Sequence, residues 1–253
     1  MKIGFFDSGI GGLTVLAQAL KRFPQYDYVY YADTIHAPYG PKPKEEVRGY
    51  IFEAATFLVS QGVDAIVVAC NTATSVAVND LRARYDIPII GIEPAVKPAV
   101  EMKSERQRVL VTATPLTIKE EKLKQLIERL DATDDVDLIA LPELVKFAEC
   151  YDFSDETVLS YLEEMLKTYQ KSDYKAVVLG CTHFPLFKSQ YQALFGKDVA
   201  LIDGSEGTIN QLQHVLHLTP AVCEQKPKVS YFQTGQLVDD LTAQLFETLM
   251  ARI

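Results

Sequence analysis

Short, unbroken apolar runs alternate along this chain with longer segments whose apolar residues recur every three or four positions. The short runs predict strands at Ile3–Phe6, Tyr28–Tyr31, Ala65–Ala69, Ile89–Ile92, Val109–Val111, Leu138–Ala140, Ala176–Leu179, Val199–Ile202 and Val229–Phe232. The periodic segments predict helices at Leu13–Leu20, Glu45–Ser60, Ser75–Arg84, Lys119–Leu130, Glu156–Tyr169, Gly207–Leu216 and Val238–Met250. Leu123, Leu126, Ile127 and Leu130 show the spacing. Strands without polar alternation suit burial on both faces, and strands alternating with helices imply an α/β fold with parallel sheets.

The pattern occurs twice. Asp64-Ala-Ile-Val-Val-Ala-Cys70-Asn71-Thr72 and Lys175-Ala-Val-Val-Leu-Gly-Cys181-Thr182-His183 are near-copies 111 residues apart, each followed by an expected helix. Lys2 to Ser8 opens one half, and Arg108 to Thr114 opens the other. Asp7 to Cys70 spans 63 residues and Thr114 to Cys181 spans 67. This predicts two duplicated units about an approximate twofold axis, with the polar run Lys103–Arg108 as the crossover. Ligands in open α/β sheets collect beyond the carboxyl ends of the strands. Two strand-end thiols from related halves therefore face one site, which suits chemistry on both faces of one carbon.

Composition narrows the classes. The 253 residues carry a formal charge of −9, against a nucleic-acid surface, which needs clustered Lys and Arg. No apolar run reaches the ~18–20 residues of a bilayer span. The start reads as a first strand rather than a signal peptide, so a cytoplasmic protein without membrane contact is expected. Cys70, Cys150, Cys181 and Cys223 form no Cys-x-x-Cys pair, which argues against thioredoxin chemistry and a zinc ribbon. Cys150 and Cys223 read as small buried hydrophobes.

Three segments hold candidate chemistry. Asp7-Ser8-Gly9-Ile10-Gly11-Gly12 follows the first strand and lets backbone N–H groups approach an anion. It lacks the Lys of a P-loop and the spacing of a dinucleotide fingerprint; alone it is a bare turn, yet Asp7 is placed to aim charge into the cleft. The loop Ala32-Asp33-Thr34-Ile35-His36-Ala37-Pro38-Tyr39-Gly40 reads as turn chemistry or as a backbone wall of a pocket. Cys181-Thr182-His183 has poor zinc spacing, so no metal is expected. His183 is better placed to manage a proton beside the thiol.

Four motifs now point to a family. Phe6-Asp7-Ser8-Gly9-x-Gly-Gly-Leu13-Thr14-Val15, Ala32-Asp33 with Pro38-Tyr39-Gly40, Ala69-Cys70-Asn71-Thr72-Ala73 and Gly180-Cys181-Thr182-His183-Phe184-Pro185-Leu186 closely resemble those of the glutamate racemases, in the cofactor-independent aspartate/glutamate racemase superfamily. The resemblance implies two α/β domains, residues 1–97 with 206–253 and residues 98–205, around a buried amino-acid site. It implies no cofactor, and a homodimer. It places Cys70 on D-glutamate and Cys181 on L-glutamate, assisted by Asp7 and by His183 with Glu149. Ser8, Tyr39, Gly40, Asn71, Thr72, Thr114, Thr117 and Thr182 match substrate-binding positions. A product used in peptidoglycan follows from the same resemblance. Racemisation of another acidic amino acid such as aspartate, a one-cysteine decarboxylase, and a non-catalytic amino-acid-binding protein are the rival readings.

Overall fold

The computed structural model describes residues 1–104, 107–222 and 227–252. Its first half runs β1 (Lys2–Asp7), α1 (Leu13–Arg22), β2 (Asp27–Ala32), α2 (Lys44–Ser60), β3 (Ala65–Val68), α3 (Asn71–Arg84), β4 (Ile89–Gly91) and α4 (Val96–Met102). The second runs β5 (Arg108–Ala113), α5 (Pro115–Lys119), α6 (Glu121–Arg129), β6 (Val136–Ala140), α7 (Pro142–Glu149), α8 (Asp155–Met165), β7 (Tyr174–Leu179), α9 (Lys188–Phe195) and β8 (Ala200–Asp203). The chain then adds α10 (Ser205–Leu216), β9 (Val229–Gln233), β10 (Gln236–Leu237) and α11 (Asp240–Met250).

Two sheets result, ordered β10-β9-β2-β1-β3-β4 and β6-β5-β7-β8. The order β2-β1-β3-β4 is repeated as β6-β5-β7-β8, so the repeat in the sequence is also a repeat in topology. Within each, the chain moves outward from the first strand, then crosses back over it. The crevice beside that first strand is where such sheets bind ligands. Asp7 and Cys70 leave one crevice; Thr114 and Cys181 leave the other. Pairing of Phe6 with Val68, and of Thr112 with Leu179, brings these strand ends level.

Burial on both faces explains the unbroken apolar runs. In β3, Ala65 and Val67 join one core cluster while Ile66 and Val68 join another. In β7, Val177 and Leu179 enter the first of these clusters and Ala176 and Val178 a third. The cluster that holds Phe5 and Val67 also holds Leu110 and Val177, so one core runs through both halves. Removing that much apolar surface from water is the main force holding them together. No helix among the described residues is long and apolar enough to cross a membrane.

Several expectations are corrected. The first sheet is not wholly parallel: β10 pairs antiparallel with β9 at its edge. The helix expected over Lys119–Leu130 is α6, which starts at Glu121 because Glu120, whose ψ of 135° is extended, separates it from the short, unexpected α5. Helix α3 begins at Asn71, four residues before Ser75, because the Cys70 thiol caps it, accepting the Ala73 N–H at 3.4 Å. Asn71 and Thr72 are weak helix formers, which hides that start. The second cysteine leads into a 3₁₀ turn, Phe184–Phe187, rather than directly into a helix. Pro185 sits there, lacking the N–H that a continuing helix would use. Cys150 is exposed, not buried, because α7 turns Leu144, Val145 and Ala148 inward and Cys150 follows its last residue. Cys223 lies outside the described residues.

Candidate active site

Asp7 ends β1 with its carboxylate fully buried. Gly12 N–H donates to Oδ2 at 2.9 Å and Gly9 N–H at 3.3 Å, while the Thr182 hydroxyl donates to Oδ1 at 3.2 Å from the other half. Burial pushes the carboxyl up to about 6, a rise held back by the nearby His183 charge and the Gly12 N–H. A Cβ on Gly12 would lie 2.5 Å from Asp7 Cβ, so the turn must be bare to close on the carboxylate. Beside it the Cys70 Sγ lies 3.5 Å from Ser8 Oγ. Burial first and the Asp7 charge second push this thiol up to about 12.

The second half builds a different set. Cys181 Sγ lies 3.6 Å from His183 Nδ1, and His183 Nε2 lies 2.6 Å from Glu149 Oε1. Burial disfavours the charged imidazole, but Cys181 and Glu149 outweigh it and push His183 well above its ordinary range. His183 is thus held between a thiol and a carboxylate, both of which favour its protonated form. Glu149 Oε1 also accepts the Ile10 N–H at 2.8 Å, across the interface between halves. The anions met by the glycine turn are therefore the protein's own, Asp7 and Glu149. A Cβ at Gly9 would overlap Glu149 Oε1, and one at Gly11 would lie 2.6 Å from His183 Nδ1.

Cys70 and Cys181 line one cavity of ≈ 240 Å³. Ser8, Asn71, Thr72, Thr114, Thr182 and His183 share its wall. Thr117 stands behind it: the Thr72, Thr114 and Thr117 hydroxyls form a triangle of 2.9, 3.2 and 3.0 Å, which aims the first two. The Asn71 side-chain carbonyl is buried with no protein partner. Asp7 and Glu149 also stand behind the wall, so Asp7 acts on its neighbours rather than projecting into the cleft.

Tyr39 and Gly40 line the cavity. The Tyr39 hydroxyl is taken by Asp33, to which it donates at 2.5 Å. Buried Asp33 also holds His36 Nδ1 at 2.8 Å, which ties the loop down. Gly40 is close to Thr114, where a Cβ would sit 3.0 Å from the Thr114 Cβ. The sequence reading missed Pro41 and Pro115 and, above all, α7, whose Pro142, Glu143, Val145 and Lys146 line the wall too. The Glu143/Lys146 spacing was the available signal: it forms a 2.7 Å ion pair. Only Glu149 of this helix was expected to matter.

The comparisons with known proteins meet this geometry. The sequence profile of the family described as Asp/Glu/Hydantoin racemase matches residues 13–212. The chain belongs to the Asp/Glu/Hydantoin racemase family. Glutamate racemase 2 of Bacillus subtilis is 52% identical over 95% of this chain and 91% of its own length. The crystal structure of glutamate racemase from Campylobacter jejuni superposes with a TM-score of 0.84 at 28% identity, over 99% of this chain and 98% of that one. Glutamate racemase from Francisella tularensis, in complex with D-glutamate, gives 0.79 at 27% identity, over 99% and 93%. The racemase family read from the four motifs is borne out, and so is the α/β fold with its parallel-stranded sheets.

Proposed function

We propose that this chain is a cofactor-independent glutamate racemase in which Cys70 and Cys181 work as paired acid and base. The observation that carries the reading is the pair of buried thiols, delivered from equivalent strand ends into one small cavity. One thiolate takes the α-proton; the other thiol gives its proton to the opposite face of the same carbon. The electron pair left by the first C–H bond forms the second, so nothing else is consumed. With no electron sink, the hydroxyl and amide donors of the wall hold the carboxylates and stabilise the developing charge.

Each thiol has its own proton partner. Asp7, titrating near 6, is matched to trade a proton with the Cys70 side near neutrality. Its negative charge raises Cys70, so passing the thiol proton to Asp7 moves one charge instead of creating a second. His183, backed by Glu149, supplies a proton or a counter-charge to Cys181. As the family resemblance implies, Cys70 acts on D-glutamate and Cys181 on L-glutamate. Ser8, Asn71, Thr72, Thr114 and Thr182 hold the substrate, positioned by Thr117 and walled by Tyr39 and Gly40. The orphaned Asn71 carbonyl is suited to the substrate ammonium. Residues 1–97 with 206–253 form one domain and 98–205 the other. The reading extends to a cytoplasmic homodimer whose D-glutamate supplies peptidoglycan.

The test is to follow circular dichroism of D- and L-glutamate in D2O without cofactor, with aspartate in parallel and mass spectrometry of the products. Loss of signal from both glutamate enantiomers, with one deuterium at Cα of the inverted product, is expected. Turnover of aspartate alone would move the specificity to the shorter acid. Binding of glutamate without exchange at Cα would leave a non-catalytic binding protein.

A further inference from the structure

The glycine turn after β1 has one carbonyl that its own backbone does not serve. The Ile10, Gly11 and Gly12 carbonyls accept the N–H groups of Leu13, Thr14 and Val15 as α1 begins. The Gly9 carbonyl precedes that ladder and takes the Tyr30 hydroxyl, which donates to it at 2.7 Å. Gly9 is buried, so its carbonyl would be costly to leave without a donor. Tyr30 comes from β2, level with Phe5 of β1, and is wholly buried. Tyr231 of β9 and Phe246 of α11 pack against its ring, with centroids 6.3 and 6.2 Å away. The ring is thus fixed from behind, and a Cβ on Gly12 would lie 3.0 Å from its hydroxyl.

The other end of the same peptide reaches the proton partners. Gly9 C=O and Ile10 N–H belong to one planar unit, and Ile10 N–H donates to Glu149 Oε1 at 2.8 Å. Glu149 Oε1 lies 2.6 Å from His183 Nε2, and His183 Nδ1 lies 3.6 Å from Cys181 Sγ. On the near side, Gly9 N–H and Gly12 N–H donate to Asp7 Oδ2 at 3.3 and 2.9 Å. Rotating the Gly9–Ile10 peptide would therefore move donors of both carboxylates. A hydrogen bond at the carbonyl also polarises the peptide and strengthens its N–H as a donor. Burial, with the charges of Asp7 and Glu149, pushes the Tyr30 phenol well above its ordinary range, so it remains a donor at neutral pH.

We infer that Tyr30 is a positioning residue for both half-sites, which fixes the Gly9–Ile10 peptide and thereby the N–H groups that hold Asp7 beside Cys70 and Glu149 behind His183. The inference rests on the paired-thiol reading, to which it adds a residue that does not line the cavity.

Strand β2 supplies its own control. Tyr28 stands two residues earlier on the same face, is as deeply buried, and donates to the Phe23 carbonyl at the far end of α1, also at 2.7 Å. Tyr28→Phe and Tyr30→Phe therefore remove the same group from the same strand, and only the second touches the turn. Both should lower the melting temperature by similar amounts. Tyr30→Phe alone should lower kcat about ten- to a hundredfold for both glutamate enantiomers, the size of a small displacement of reacting groups, while KM stays within about twofold. A kcat in Tyr30→Phe within about twofold of that in Tyr28→Phe overturns the inference.

A second readout needs no turnover: the titration midpoint of the Asp7 carboxyl, followed by carboxyl-carbon NMR on protein labelled at aspartate and assigned with Asp7→Asn. His183 and Glu149 face Asp7 from the second half; Cys70, Tyr30 and Tyr39 face it from the first, all three held neutral by burial. The Gly12 N–H holds the Asp7 carboxyl down. Loosening the turn weakens that bond, so the midpoint should rise from about 6 by about 0.5–1 pH unit in Tyr30→Phe and stay in place in Tyr28→Phe. A midpoint unmoved in Tyr30→Phe, or moved equally in both variants, overturns the inference. If the parent leaves glutamate unaltered, the racemase reading fails by itself, and the Asp7 midpoint still decides whether Tyr30 sets the turn.

Discussion

Cys70 follows β3 and caps α3, whereas Cys181 follows β7 into a 3₁₀ turn, and the two are served by different chemistry. Around Cys70 stand a hydroxyl and a carboxylate, and burial with that negative charge holds the thiol up at about 12. Around Cys181 stands an imidazole fixed by a second carboxylate, which favours its protonated form. The duplicated topology thus repeats the position of the thiol but not its proton partner. It is the turn after β1 that joins the two sets: Gly12 N–H binds Asp7, and Ile10 N–H binds Glu149 from the opposite half. Neither half-site is complete without the other, since Thr182 completes the shell of Asp7 and Ile10 that of Glu149.

Five predictions test this contrast. Cys70→Ala and Cys181→Ala should each lower kcat by more than about 10³-fold, while far-ultraviolet circular dichroism stays unchanged, because each removes a reacting group. Full turnover in either variant would falsify the paired mechanism. Next in size, Asp7→Asn and His183→Asn should each cost about 10²–10³-fold, the usual worth of a positioned proton carrier. Their pH profiles should separate the half-sites. Asp7 accepts a proton only when ionised, so activity climbs as pH rises through about 6, and Asp7→Asn should erase that acidic limb.

The same carboxylate bears on stability. Its folded pKa lies above the ordinary 3.8, so the folded state holds the proton more tightly than the unfolded chain does. Its burial is free of charge cost below about 3.8, and that cost grows until pH passes about 6. Asp7→Asn should therefore stabilise the protein at pH 7.5 by on the order of 2–3 kcal/mol relative to its effect at pH 3.5, read from denaturant midpoints. Equal effects at both pH values would contradict the buried, raised carboxylate.

Gly9→Ala is a cross-interface probe, since the new Cβ would overlap Glu149 Oε1. Displacing Glu149 should cost about 1–3 kcal/mol of stability and lower turnover through His183, although Gly9 belongs to the first half. A pH profile shifted on the His183 side would place the damage there; an unaltered profile would argue that Glu149 does not support the imidazolium. Cys150→Ser should do least: the residue is exposed, so melting and turnover should change within about 0.5 kcal/mol.

Strand positions were legible because buried parallel strands read as unbroken apolar runs, and β3 and β7 owe theirs to cores on both faces. The thiols were legible because each ends such a run. Short helices were not: α4, α7 and α9 have eight residues or fewer, too few for the periodicity to stand out. Missing α7 meant missing Lys146 and Glu143 on the cavity wall. Cys150 was misplaced for the same reason, since its exposure depends on which way α7 faces.

By itself, the sequence determined the α/β class, the doubled run of strands and helices and the two cysteines at matching strand ends. These follow from local patterning, which needs no knowledge of distant contacts. Tertiary structure alone decided that Thr182 reaches Asp7 across 175 residues and that Ile10 reaches Glu149 across 139. It also decided that the glycine turn serves the protein's own carboxylates. Such contacts arise where the two halves pack, and their distances and burial set the charges on Asp7, Cys70 and His183.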